Sequence, residues 1–231
     1  EPDGPFVQTF LDDVLGIMED NASYPFDMMN FHYYPLFAAN WAAYGIDIIG
    51  KANFIRAKMA AYGADKSLIC TETGVRSDCP PDSSYCGSEE RQSRYVLQVY
   101  SRAQAAGLAI GVWYMLVDPA EIGAPQDGLL DANLHPKLSY GAYQTLAGQL
   151  GTATYRLTMS PIETGSDQIE AYVFLAEEGP ERIVVAWTND ESYPVLALPG
   201  NCLTVVDKYG LESGPICDGA DGTLDGTIHV T

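Results

Sequence analysis

The sequence predicts an α/β protein in which parallel strands covered by helices are followed by a small antiparallel β domain. Helical and strand-like patterns alternate through residues 1–151, as they do in parallel sheets. From residue 152 to 231 the pattern changes to short alternating runs separated by turn residues. A third observation is the acid Glu72, which directly follows an uncharged run. The C-terminal rim of barrel strands, where catalytic groups lie, has this pattern.

Four helices are predicted in the first domain. In the first of them, apolar side chains such as Phe10, Val14 and Met18 recur at helical spacing. Gly63 and Gly107 directly follow the second and third, and glycine is a typical residue at a helix end. The predicted helices cover residues 7–19, 51–62, 89–106 and 139–150.

Three strands are predicted between these helices, over residues 26–34, 67–71 and 108–117. The first is a dense apolar and aromatic run that Pro35 ends. Because side chains alternate between the two faces of a strand, Asn30, His32 and Tyr34 are predicted to share one face. The same rule places Glu72 on the face of the second strand that carries Leu68 and Cys70, and Trp113 on one face of the third strand with Gly111 and Met115.

The second domain is predicted from several short strand-like runs, at residues 171–175, 182–187, 195–198, 203–206 and 227–231. They suggest a β-sandwich that is incomplete in this chain, since the last run is followed by no further strand.

Charge and composition limit the classes of partner. The chain has 31 acidic against 12 basic residues, a net charge of −19, and no tract rich in Lys or Arg. Nucleic acids and anionic membranes require such tracts, so neither is an expected partner. No apolar run approaches the ~18 residues of a membrane span. A neutral or cationic ligand fits this charge best, and no motif indicates a metal or an organic cofactor.

The five cysteines predict the compartment. Cys79 and Cys86 bracket one loop-like stretch, and Cys202 and Cys217 bracket another. Two pairs that are each close in sequence suggest disulfides Cys79–Cys86 and Cys202–Cys217, and therefore a secreted or extracytoplasmic protein. Unpaired loop thiols are the alternative, and a zinc site is disfavoured because no nearby His accompanies these pairs. Cys70 is expected to be an inert core residue.

The strand ends carry a candidate site. His32 and Tyr34, then Glu72, then Trp113 end three successive strands, and Asp118 lies just beyond the third. A carboxylate can attack the anomeric carbon of a sugar, and aromatic faces stack on pyranose rings. Each of these residues also has a structural interpretation, such as a core histidine, a rim ion pair or core packing. Their joint occurrence at corresponding strand ends favours function.

Several segments, taken in order, resemble retaining (β/α)8 glycoside hydrolases of the clan A type. Three of them look like the sixth, seventh and eighth barrel strands of that family: Phe26–Pro35, Thr71–Gly74 and Gly111–Tyr114. Others are similar to the stretch leading into the last helix and to an appended β-sandwich: Gly128–Asp131, His135–Lys137, Tyr140–Tyr143, Ala186–Asn189 and Val206–Gly210. The resemblance implies a partial (β/α)8 barrel, roughly strands six to eight, followed by the β-sandwich.

The resemblance also implies roles. Glu72 would be the nucleophile, His32 and Tyr34 would position it and the sugar, and Trp113 would be the stacking platform. Asn30 and Asp118 are further candidate substrate-binding residues. The family carries its acid/base Glu after an Asn at the fourth strand, and this chain has no equivalent. The expectation is therefore a fragment that lacks the N-terminal barrel half and is inactive alone, although Asp118 could supply a second carboxylate within the chain.

Two other interpretations compete with the glycosidase. A non-catalytic carbohydrate-binding or structural protein could keep a partial barrel and the β domain. A flavodoxin-like or Rossmann protein is the weaker rival, because no G-x-G-x-x-G motif follows a strand.

Overall fold

A computed structural model describes residues 9–78, 87–177, 179, 181–190, 194–220 and 222–230. The chain forms two compact units, Glu1–Lys137 and Leu138–Thr231. The helix at residues 138–150, which the sequence pattern grouped with the barrel part, is counted with the second unit. The predicted boundary at residue 151 stays a prediction.

The first unit is a parallel sheet with helical connections. Its strands are β1 (Met28–Tyr33), β2 (Ser67–Thr73) and β3 (Ile110–Trp113), in the order β1-β2-β3 and all parallel. Its helices are α1 (Phe10–Asp20), a 3-10 helix (Pro35–Tyr44), α2 (Asp47–Ala61) and α3 (Glu89–Ala105). The alternation of helices and parallel strands is as the sequence predicts, and the 3-10 helix is an addition.

Local sequence explains these elements. Phe31 and Tyr33 are buried while Asn30 and His32 are exposed, which is the predicted alternation of β1. Helix α3 begins after Ser88, whose side chain accepts a hydrogen bond from the Arg91 N–H and so caps the helix. Because the strands are parallel, their C-terminal ends meet at one edge of the sheet.

The second unit is mainly antiparallel. Its elements are α4 (Leu138–Leu150), β4 (Thr154–Thr158), α5 (Pro161–Thr164), β5 (Ile169–Leu175), β6 (Arg182–Thr188), β7 (Leu196–Pro199), β8 (Cys202–Leu203), β9 (Ile216–Cys217) and β10 (Thr227–Val230). Strands β4-β5-β6 form one sheet, and β7 pairs with β10 and β8 with β9. The fold is thus mixed α/β, and the arrangement of these strands as a sandwich stays a prediction.

One of the two predicted disulfides is observed. Cys202 and Cys217 are bonded across the β8–β9 ladder, which confirms that pair. The predicted pair Cys79–Cys86 lies outside the described residues. Cys70 is free and fully buried, and burial raises the pKa of its thiol to about 11, in agreement with an inert core residue. In the described ranges, no helix has the length and apolar character needed to cross a membrane.

Candidate active site

The Glu72 carboxylate makes two close polar contacts at the C-terminal edge of the parallel sheet. The Tyr34 hydroxyl donates a hydrogen bond to Glu72 Oε2 at 2.9 Å, and His32 Nδ1 lies 3.1 Å from the same oxygen. The side chain of Glu72 is 31% exposed and that of His32 49%. These three residues, here called the open cluster, bring together the sequence-predicted acid and two of its predicted partners in reach of solvent.

A β-bulge orients Glu72. Phe31 pairs with Cys70 but His32 pairs with Glu72, so Thr71 is an extra residue in β2. A second register shift falls in the same stretch against β3. Thr73 therefore takes the buried position that simple alternation would give to Glu72, and it is 2% exposed. The predicted sharing of one face by Leu68, Cys70 and Glu72 is wrong, because a bulge breaks the two-residue period.

Tyr34 remains a hydrogen-bond donor at any ordinary pH. Burial, the hydrogen bond to Glu72 and the negative charge of that carboxylate raise the pKa of Tyr34 well above its usual range. Asn30, for which substrate binding stays a prediction, accepts a hydrogen bond from Thr71 Oγ1 at 2.8 Å. That contact joins β1 to the bulge in β2.

Trp113 is buried and does not form an exposed platform. Its ring is 7% exposed and lies 6.3 Å from the ring of Tyr95 in α3, measured between centroids. Its Nε1 donates to the Asp127 carbonyl at 2.9 Å. The next residue, Tyr114, is 40% exposed, and its charge state affects the pKa of Tyr34. Tyr114 is thus the more accessible aromatic residue beside the open cluster. Strand periodicity does not indicate which of these two adjacent aromatic residues is the exposed one.

Asp118 has a structural environment. Its carboxylate is buried, accepts a hydrogen bond from Lys137 Nζ at 2.8 Å, and accepts another from the Gly128 N–H at 2.5 Å. Because both oxygens of this buried carboxylate are engaged, Asp118 links the start of the loop after β3 to Gly128 and Lys137, which lie further along the same loop. The geometry favours this structural role over the predicted contact with substrate.

Asp127 is a second carboxyl near the site that sequence reasoning missed. Burial raises its pKa to about 6, with Asp78 and Asp118 adding to the rise and Arg76 and Lys137 opposing it. Asp127 also contributes to the raised pKa of Tyr34. The only sequence signal was its position directly before the Gly128–Asp131 stretch, which the resemblance assigned to the segment leading into the last helix.

A second polar group, here called the buried cluster, lies behind the same strand ends. Arg102 Nη1 donates to Asp47 Oδ2 at 2.6 Å, and the Tyr95 hydroxyl donates to Asp47 Oδ1 at 3.2 Å. Both charged side chains are at most 7% exposed. Burial and the Asp47 carboxylate raise the pKa of Tyr33, which neighbours the open cluster along β1 but points to this opposite side.

The open cluster can present a carboxylate to a ligand. His32 and Tyr34 both contact Oε2, and in the described part of the chain Oε1 accepts no hydrogen bond. An oriented, half-exposed carboxylate with one free oxygen can act as a nucleophile or accept hydrogen bonds from hydroxyl groups. The described residues contain no group of three or more His, Cys, Asp or Glu side chains that could hold a metal ion.

Comparison with known proteins finds relatives only at the level of structure. No protein-family model and no curated protein sequence matches the chain. A family 39 glycoside hydrolase from the gut symbiont Bacteroides cellulosilyticus WH2 is similar over 99% of this chain and 46% of its own, with a TM-score of 0.67 and 18% identity. Xylanase 10B from Thermotoga petrophila RKU-1 overlaps 61% of this chain and 42% of its own, with a TM-score of 0.42 and 16% identity.

At these identities the likeness shows the fold alone, and the weaker overlap with the xylanase carries no argument. The family 39 structure is that of a glycoside hydrolase, the class of enzyme that the sequence resemblance named, so the fold is glycosidase-like. The chain spans about half the length of the family 39 structure that it matches.

Proposed function

We propose that this chain carries the nucleophile half of a retaining glycoside hydrolase, with Glu72 as the nucleophile. The observation that carries the proposal is the geometry of Glu72: one oxygen is held by Tyr34 and His32, and the other is free at the C-terminal edge of a parallel sheet. The glycosidase-like fold supports it.

The proposed reaction is a double displacement. Oε1 of Glu72 attacks the anomeric carbon while the bond from that carbon to the leaving oxygen breaks, and an acid gives the leaving oxygen a proton. Water, losing a proton to the same acid residue, then attacks the anomeric carbon and releases the sugar and Glu72. Tyr34 and His32 hold the carboxylate in line for the first step.

The acid/base residue is proposed to come from a segment outside these 231 residues. In the described ranges, Asp118 is enclosed by Lys137 and Gly128 and cannot serve. The coverage of only 46% of the family 39 structure supports a further barrel segment. For the sugar platform, the 40% exposure of Tyr114 supports this residue over Trp113, which is 7% exposed. The disulfide Cys202–Cys217 supports a secreted or extracytoplasmic location.

A dinitrophenyl fluoroglycoside tests the nucleophile without the missing acid. Dinitrophenolate is stable enough to leave unprotonated, and the fluorine slows hydrolysis of the glycosyl ester so that it accumulates on the attacking carboxylate. The chain should release one equivalent of dinitrophenolate and gain the mass of the sugar on the peptide that contains Glu72.

Glu72→Gln should lower this labelling by about a thousandfold or more, because an amide is a poor nucleophile. Glu19→Gln is the matched control, since Glu19 is an exposed acid in α1. Labelling of another residue, or retained labelling in Glu72→Gln, would remove the assignment. Binding of a sugar by the wild-type chain with no labelling would favour the non-catalytic carbohydrate-binding alternative.

A further inference from the structure

Thr71 is the extra residue of the bulge in β2, and its side chain lies on the same side of the sheet as that of Glu72. It has no partner in the β1 register, in which His32 pairs with Glu72. Thr71 Oγ1 nevertheless donates to Asn30 Oδ1 at 2.8 Å, and Asn30 and His32 are both on the exposed face of β1. Two consecutive side chains of β2 therefore face the open side, whereas a regular strand would alternate them.

A second contact holds the bulge from the buried side. Cys70 Sγ, which is inaccessible to solvent, donates to the Glu72 carbonyl at 3.2 Å. The carbonyl of the next residue, Thr73, accepts from the Tyr114 N–H just after β3 at 2.8 Å. The backbone at Glu72 and directly after it is thereby tied to the core. Because a thiol is a weak donor, the Thr71 hydroxyl is the stronger donor of the two side chains that contact across the bulge.

The contribution of Thr71 is a matter of position rather than of burial. Moving an ionised carboxylate without a partner into the core is costly, so Glu72 stays out of the core with or without Thr71. The hydrogen bond from Thr71 to Asn30 instead fixes where the bulge lies along β1. His32, which contacts the Glu72 carboxylate, belongs to β1, and Tyr34 directly follows that strand. The carboxylate and its two partners therefore depend on the alignment of β2 with β1 at this point.

We propose that Thr71 is a positioning residue, whose hydrogen bond to Asn30 holds the bulge so that the free oxygen of Glu72 is directed at the sugar. The inference rests on the proposed role of Glu72 as the nucleophile and adds the contact that orients it. Displacement of an attacking atom by about 1 Å can slow a reaction severely, so a single hydrogen bond at the bulge is sufficient to affect the rate.

Labelling by dinitrophenyl fluoroglycosides with gluco and galacto rings tests this role, with the probe concentration varied. Thr71→Val keeps the branched shape and removes the hydroxyl, so the maximal rate of Glu72 labelling should fall about tenfold. The probe concentration that gives half of the maximal rate should stay within about twofold, because no contact with the sugar is removed. Thr71→Ser restores the donor and should return the maximal rate to within about threefold of wild type.

Thr9→Val is the matched control. Thr9 Oγ1 donates to Asp13 Oδ2 at 2.8 Å in an exposed pair at the start of α1, so the change removes an equivalent hydrogen bond from a helix rather than from the sheet. Its labelling rate should stay within about twofold of wild type. Thr71→Val should also melt within about 4 °C of wild type, since one exposed hydrogen bond contributes little to stability.

A double variant tests whether Thr71 acts through Asn30. Asn30→Ala removes the acceptor of the same hydrogen bond and should slow labelling about as much as Thr71→Val does. The double variant should be within about twofold of either single variant, because the second change has no further contact to remove. Losses that multiply would mean that the two residues act independently, and would overturn the proposal.

The remaining outcomes separate this inference from the function on which it rests. Labelling of Glu72 at the wild-type rate in Thr71→Val overturns the role of Thr71 and keeps the nucleophile. A higher half-saturating concentration with an unchanged maximal rate has the same meaning, because it would show a contact with the sugar. A slow rate that Thr71→Ser does not restore also removes the role of the hydroxyl. Absence of labelling of the wild-type chain with every probe counts against both proposals.

Discussion

The open cluster and the buried cluster lie on opposite sides of the same strand ends, and they use their charges differently. In the open cluster, the Glu72 carboxylate is 31% exposed and keeps one oxygen free. In the buried cluster, Asp47 has both oxygens occupied, by Arg102 and Tyr95. A charge that is completely paired away from water contributes to structure, whereas a charge that is oriented but incompletely satisfied is available for chemistry.

The largest expected effect is a loss of stability on breaking the ion pair of the buried cluster. Arg102→Met leaves the Asp47 carboxylate buried and unpaired, so it should lower the free energy of unfolding by about 3–5 kcal/mol. The control is Arg94→Met in the same helix, where an exposed pair with Glu90 at 3.6 Å is removed. That change should stay within about 0.5 kcal/mol. Chemical denaturation measures both, and similar losses would contradict the distinction.

Adjacent tyrosines sharpen the comparison, because Tyr33 faces the buried cluster and Tyr34 the open one. Tyr34→Phe removes the hydroxyl that orients Glu72, so the rate of Glu72 labelling should fall about tenfold. Tyr33→Phe should leave that rate within about twofold and should not lower the free energy of unfolding, because the buried Tyr33 hydroxyl accepts and donates no hydrogen bond among the described residues. If Tyr33→Phe slowed labelling as strongly, the buried cluster would also act on the site.

The smallest effect concerns Asp127. Its pKa in the folded protein is raised to about 6 from an ordinary value of 3.8, so ionisation of this group opposes folding. The penalty is absent below about pH 4, where both states are protonated, and reaches its full size above about pH 6. Asp127→Asn should therefore stabilise the protein at pH 7, by about 1 kcal/mol after allowance for solvent screening of a partly exposed group.

Melting curves of the wild type and Asp127→Asn at pH 4 and pH 7 check this expectation. A gain that is the same at both pH values, or a loss at pH 7, would show that the Asp127 carboxylate is not strained in the folded state.

Much of the first unit could be predicted from local patterns. The helices were predicted to within a few residues, as at Glu89–Ala105, and the burial alternation of β1 follows its sequence. The 3-10 helix was not predicted, and neither was the short strand Thr154–Thr158 of the second unit, because neither has a clear periodic pattern of apolar residues. The pairing of Cys202 with Cys217 followed from their spacing between turn residues.

The placement of site residues was less predictable. Trp113 and Tyr114 are neighbours in sequence, and their exposures of 7% and 40% depend on packing against Tyr95 in a distant helix. The sequence suggests that Asp118 is an unpaired acid at the strand ends. In the structure it is paired with Lys137, which lies 19 residues further along the chain. Contacts of this range depend on how loops close and leave no periodic signal.

By itself, the sequence determined that parallel strands alternate with helices and that Glu72, His32 and Tyr34 stand at strand ends, because these properties follow from local side-chain periods and chain breaks. Only the tertiary structure decided which way Glu72 points. The bulge at Thr71 arises where β2 must match the registers of two neighbouring strands at once, and it moves the carboxylate from the buried face to the face of His32. The one-residue shift in register at Thr71 therefore determines whether Glu72 is part of the core or part of a site.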